Sequence, residues 1–112
     1  MLEKRTICLL PIPFSDLSSS KKRPVLVLSN NSYNFSQEDV LVMAITSNLS
    51  RQQNALPINQ ENLEEGMLKH DSVLRIDKIY SVSKNSIIKK LGKINEKTFS
   101  EIVDRLNIFI AS

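Results

Sequence analysis

Val40-Leu41-Val42-Met43-Ala44-Ile45-Thr46 is the most apolar run of the chain, and its reading decides the fold. It is too short for a typical helix and rich in β-branched residues, so it reads as a strand. It also lacks polar alternation, so both of its faces must be covered and it belongs inside a sheet. Val25 to Leu28, directly after Pro24, has the same character, and Asn30, Asn31, Ser32 and Asn34 between the two runs favour turn geometry. Further upstream, Thr6 to Leu10 reads as a strand ended by Pro11 and Pro13, and the polar stretch from Ser15 to Lys22, whose one apolar residue is Leu17, reads as a loop. Downstream come a short Ala55 to Ile58 segment, a helical turn over Asn62 to Glu65 ending at Gly66, and two further strands, Ser72 to Ile76 and Ile87 to Ile94. The chain closes on a helix: Asn95 suits the N-cap, Glu96 suits the positive end of the dipole, and Phe99, Ile102, Val103, Leu106 and Ile110 recur at helical spacing. Five or six short strands and one terminal helix predict a mostly β chain of the α+β class, a strongly bent sheet or barrel with the helix packed on it.

The 112 residues, 41% hydrophobic and 24% charged with two Gly and four Pro, predict one globular domain over residues 1–112. No apolar run approaches the roughly 20 residues that cross a bilayer, so no membrane span is expected. Pro11 and Pro13 cut short the stretch that follows Lys4 and Arg5, which argues against a signal peptide. The single Cys8 cannot close an intrachain disulfide and has no metal-ligand spacing around it; a small buried strand residue in a reducing cytoplasm fits.

The net charge of +3 is unevenly spread. Residues 1–33 hold five Lys and Arg against two acids and residues 67–93 hold seven against two, whereas residues 34–66 hold one against five. If the fold joins the two basic segments, they form a patch suited to phosphates; lysines on solvated strand faces are the plainer reading.

No glycine-rich phosphate loop and no Cys or His cluster is present, and the one histidine, His70, sits beside Asp71 as a solvated loop residue. What remains are polar groups at the ends and faces of apolar strands. Arg23 lies where the polar loop meets the strand after Pro24; Thr46 and Ser47 end the most apolar strand; Arg75 and Asp77, two apart, share one strand face while Leu74 and Ile76 take the other. Singly, each has an ordinary structural role: one loop cation among three, a turn cap, a surface ion pair worth little. Together they would suit a metal-free phosphodiester reaction, with an arginine neutralising phosphate charge, a carboxylate accepting a proton and hydroxyls orienting the substrate.

Four stretches carry a resemblance: Pro11-Ile12-Pro13-Phe14-Ser15-Asp16, Lys21-Lys22-Arg23-Pro24-Val25-Leu26-Val27-Leu28-Ser29, Met43-Ala44-Ile45-Thr46-Ser47, and Asp71-Ser72-Val73-Leu74-Arg75-Ile76-Asp77-Lys78-Ile79. In order and separation they resemble the successive motifs of PemK/MazF toxins, over nearly the whole chain. The resemblance implies an SH3-like barrel with a C-terminal helix, a homodimer, and a sequence-specific, ribosome-independent mRNA endoribonuclease held inactive by a cognate antitoxin, whose release arrests growth. It implies cleavage of single-stranded RNA by the substrate's 2′-OH, with no metal or other cofactor, leaving a 2′,3′-cyclic phosphate and a 5′-OH. Arg23 and Thr46 match residues catalytic in MazF-like members, and Arg75 and Asp77 the acid–base pair of PemK-like members. RNA contacts are expected at Ser15, Lys21, Lys22, Ser47, Ser72 and Lys78. Two departures stand out. Arg5-Thr6 replaces the usual Gly-Asp before the first strand, which bears on the N-terminal turn, and no loop histidine of the PemK kind occurs among Ser18, Ser19 and Ser20. A gyrase-poisoning toxin of the same fold and a non-catalytic nucleic-acid-binding module are the alternatives.

Overall fold

The computed structural model describes residues 2–12, 21–50 and 53–111, the side chains of Ile12 and Lys21 excepted. The apolar run quoted first lies within β3 (Asp39–Thr46), and β2 (Lys21–Val27) pairs with it antiparallel; Val25, Leu26, Val27, Val40 and Val42 to Ile45 are all buried, as strands covered on both faces require. The remaining elements are β1 (Thr6–Ile12), α1 (Asn31–Ser36), β4 (Ala55–Ile58), β5 (Leu63–Gly66), β6 (Ser72–Ser83), β7 (Lys89–Ile94) and α2 (Glu96–Ala111), with 3₁₀ turns at Gln60–Asn62 and Lys84–Ser86. Among the described residues, seven strands form one antiparallel sheet in the order β4-β6-β3-β2-β1-β7-β5.

Two buried clusters line the two faces of this sheet. Ile7, Leu26, Met43, Ile45, Leu74, Ile76 and Ile94 face α2, which lays Phe99 and Ile102 on them. Cys8, Leu10, Val25, Val27, Val40 and Val42 line the other face, closed over by Tyr80, Val82 and Ile87 as the sheet curls. Cys8 is buried as expected, and desolvation pushes its thiol pKa up to about 11.

Several local readings are corrected. The stretch around Asn31 is a short helix rather than a turn, because the Asn30 side chain accepts the Tyr33 amide at 2.8 Å and caps it. Lys21 and Lys22 belong to β2, continuing the ladder to Ile12 and Pro11, not to a loop. Asn62 to Glu65 is not a helical turn: the turn ends at Asn62 and Leu63–Gly66 is strand β5, paired with β7. Gly66 makes that pairing possible, with φ of +84° and its Cα so close to the Leu91 carbonyl that a Cβ there would overlap it. On α2, Phe99 and Ile102 are buried and Leu106 half-buried, but Val103 and Ile110 are exposed. Val103 lies about 40° outside Phe99 on the helix wheel, off the edge of the buried arc, and Ile110, whose angle is close to that of Phe99, lies in the last turn of α2, more than two turns past Ile102.

Arg5 makes the turn that leads into β1. Its φ is +78°, and its backbone N–H donates to Val27 O and its carbonyl accepts from Ile94 N, both at 2.9 Å. Its guanidinium donates to the Ile94 carbonyl (2.7 Å) and to Glu64 (3.0 Å). One side chain thus ties β5 and β7 to the turn, against a left-handed backbone cost of about 1–2 kcal/mol.

Candidate active site

Three neighbouring strands bring the candidate catalytic residues to one face. Arg23 pairs with the buried Leu10 and has the parity of Val25 and Val27, so it points to the face opposite α2. Thr46 has the parity of Ala44, which pairs with Val25, so Thr46 at the end of β3 takes the same face as Arg23. Pro24, which has no N–H to donate, lies where the β2–β3 ladder stops. Thr46 in turn pairs with Val73 of β6, and Val73, Arg75 and Asp77 take the face that Leu74 and Ile76 do not.

The register also explains why Arg75 and Asp77 stand free of the β3 ladder. Between Met43↔Ile79 and Ile45↔Leu74, β3 advances two residues while β6 advances five. The surplus is a wide bulge, a feature that re-aims side chains, and Arg75 and Asp77 sit in it. Nε of Arg75 donates to Oδ1 of Asp77 at 3.2 Å and Nη2 to Oδ2 at 3.3 Å, with the two side chains only 12% and 27% exposed. Desolvation raises the Asp77 pKa, but the hydrogen bonds and charge of Arg75, with a backbone hydrogen bond and Lys78, together outweigh it and hold the carboxyl below its usual range. Thr46 also caps the turn after its strand, Oγ1 accepting from Asn48 N at 3.1 Å, which leaves its O–H to donate.

The expected RNA contacts are dispersed. Ser47 is exposed beside Thr46, and Lys78 is exposed at the end of the bulge. Lys22 is exposed but paired with Pro11, on the face opposite to that of Arg23. Ser72 is buried with the parity of Leu74, and its hydroxyl donates to the His70 carbonyl at 2.9 Å. Ser15 lies outside the described residues, as does the side chain of Lys21. Next to Thr46, a cleft of about 240 Å³ opens between Leu49, Ala55 and Pro57 on one side and Asp71, Ser72 and Val73 on the other. His70 is exposed, and among the described residues no three His, Cys, Asp or Glu side chains gather as a metal site would need. Among those residues, too, no helix is long and apolar enough to cross a membrane.

Arg5 lies away from the candidate site, and what sequence reading missed is its anchoring of the N-terminal turn to Glu64 and Ile94. Its signal was present in the departure from Gly-Asp, but its left-handed backbone is set by partners distant in sequence.

Comparison with known proteins places the chain. The model of the PemK-like, MazF-like toxins of type II toxin–antitoxin systems matches residues 4–110, and the chain belongs to that family. Among solved structures, MazF from Deinococcus radiodurans superposes with a TM-score of 0.78 at 17% identity, covering 99% of this chain and 97% of that one. A mycobacterial endoribonuclease in complex with its cognate antitoxin gives 0.78 at 16% identity, with 96% and 93% covered. The Mycobacterium tuberculosis toxin MazF-mt6 gives 0.75 at 18% identity, with 93% and 94% covered. The fold is therefore the SH3-like barrel of the PemK/MazF type with its C-terminal helix, as the sequence led us to expect. No curated protein matches the chain in sequence.

Proposed function

We propose that this toxin is a metal-independent, sequence-specific endoribonuclease that cuts single-stranded mRNA without the ribosome and is held inactive by a cognate antitoxin. The observation that supports this best is the convergence of Arg23, Thr46, Arg75 and Asp77 on one face of three adjacent strands. In the reaction, the 2′-oxygen attacks the adjacent phosphorus, the O2′–P bond forms and the P–O5′ bond breaks. Asp77 accepts the 2′ proton. Arg75 gives a proton to the departing 5′-oxygen as its bond to phosphorus breaks, and the proton taken by Asp77 returns to the guanidine to restore the pair. Arg23 neutralises the charge that spreads over the phosphate oxygens, and Thr46 donates its O–H to hold the scissile phosphate.

The ion pair gives this scheme a gate. While Arg75 holds Asp77, the carboxylate is a weak base; as Arg75 turns to the substrate phosphate, the proton affinity of Asp77 rises toward what base catalysis needs. The cleft beside Thr46 has apolar walls and a polar edge, which suits one unstacked base. The protein acts in the cytoplasm as a homodimer, and the antitoxin competes with RNA for the same cations.

The test is incubation of the purified protein with long single-stranded RNA in EDTA, followed by end mapping, with Arg23→Ala alongside. Discrete cuts ending in cyclic phosphate and 5′-OH, lost in the variant, are expected. Intact RNA across varied sequences, with inhibition in a supercoiling assay, would transfer the protein to the gyrase poisons.

A further inference from the structure

Besides bringing Arg23 and Arg75 to the reaction face, the fold sets lysines of the two basic segments side by side on the other face of the sheet. β1 is flanked by β2 on one side and β7 on the other, with registers Pro11↔Lys22, Leu9↔Pro24 and Leu9↔Lys89. Directly opposed residues share a face, so Lys22 and Lys89 flank β1 on one side of the sheet. Strand spacing and rise separate their Cα atoms by about 12 Å. Between them lie half-buried Leu9 and Pro24 and exposed Pro11, past the part of the sheet that Phe99 and Ile102 cover.

These two lysines differ from their neighbours. Lys93 is paired with Glu3 at 2.8 Å, and Lys84 donates to the Asn34 carbonyl at 2.7 Å. Lys22 and Lys89 are exposed, and among the described residues neither forms an ion pair. Lys22 is also the chain neighbour of Arg23, on the opposite face of β2.

We propose that Lys22 and Lys89, across the floor of Leu9, Pro11 and Pro24, form a second RNA contact outside the reaction centre, which holds backbone phosphates of the strand flanking the cut. This inference rests on the RNA-cleaving reading above and extends it to Lys89. The occupant is RNA backbone because the floor is apolar with cations on both flanks, which matches a strand of sugars edged by phosphates. The contact is electrostatic and independent of sequence, so it adds affinity for longer RNA without altering which step is cut.

The experiment is a salt titration of binding. An RNA that the wild-type protein cuts is made with 2′-O-methyl groups, labelled, and its affinity measured by anisotropy from low to moderate salt for wild type, Lys89→Gln, Lys22→Gln/Lys89→Gln and the control Lys97→Gln on the exposed start of α2. Each lost phosphate contact removes about 0.7 from the slope of log affinity against log salt for single strands. We expect a slope reduced by about 0.7 in Lys89→Gln and about 1.4 in the double variant, no change in Lys97→Gln, and a deficit that grows with RNA length. A Lys89→Gln slope equal to wild type overturns the inference, as does an equal reduction in Lys97→Gln, which would mark a general charge effect. Loss of poly-glutamate binding with RNA binding intact also overturns it, and assigns the strip to an acidic protein tail. Wild-type protein that binds RNA through Lys89 but never cuts it refutes the endonuclease reading and leaves the strip standing; wild-type protein that binds no RNA removes both.

Discussion

Arg23 and Thr46 lie just beyond the end of the ladder between β2 and β3, on one face of the sheet, and both are half-buried rather than part of either core cluster. We predict that Arg23→Ala and Thr46→Ala each abolish detectable RNA cleavage while leaving the circular dichroism spectrum unchanged. Positioned catalytic groups of this kind contribute roughly 10²- to 10⁴-fold, and full cleavage by both variants would refute the assignment. Asp77 yields a second prediction through its ion pair. A carboxyl held below its usual range stays ionised until the pH falls through that lowered value, so the acid limb of kcat/KM, which reports the free protein, lies below that of an ordinary aspartate. The acid limb of kcat lies higher, because Arg75 has turned to the phosphate in the complex. Coincident limbs, or a kcat/KM limb near neutrality, would show that Asp77 is not the base. The sign is the same for stability: the contribution of this pair is present above the unfolded pKa of the carboxyl and is lost as acid carries the pH through the folded one.

At the scale of elements, the bulge in β6, which re-aims Arg75 and Asp77, and β5, which closes the far edge of the sheet, were the least visible in the sequence. Leu63-Glu64-Glu65-Gly66 is strongly polar and has no strand pattern of its own; it becomes a strand because Gly66 permits a close approach to β7 and because Arg5 holds Glu64. Gly66→Ala should therefore lose more than about 1 kcal/mol, since it adds both a Cβ overlap and a strained left-handed φ. That lowers the melting temperature by several degrees, and an unchanged thermal midpoint would show that β5 is dispensable. The helix α2 was legible from its capping and its apolar spacing. The width of its buried stripe was not, because helical spacing alone does not say where the sheet beneath it ends, and Val103 and Ile110 fall outside.

For the whole molecule, the open question is what lies against the C-terminal half of α2. Phe109 and Ile110 are 47% and 71% exposed, an unusual load of apolar surface for the end of a helix. A homodimer that packs through this surface would bury both side chains. Ile110→Asp should then shift the protein toward monomer in sedimentation experiments, with its melting temperature becoming less dependent on concentration. A wild-type protein that sediments as a monomer at all concentrations would rule out the dimer.

The sequence by itself determined the central strands, the terminal helix, the burial of Cys8 and the family, because these rest on local patterns: apolar runs without alternation, a capped 3.6-residue period, and motifs in fixed order. It also set Arg75 and Asp77 on one face, since two residues along a strand share a side. Only the tertiary structure decided that Arg23 and Thr46 share that face, that Ser72 is turned to the other and bonded to His70, and that Lys22 meets Lys89 across β1. These are matters of register between strands far apart in the chain, and register is fixed by the fit of whole faces and by a bulge whose cause is spread over two strands.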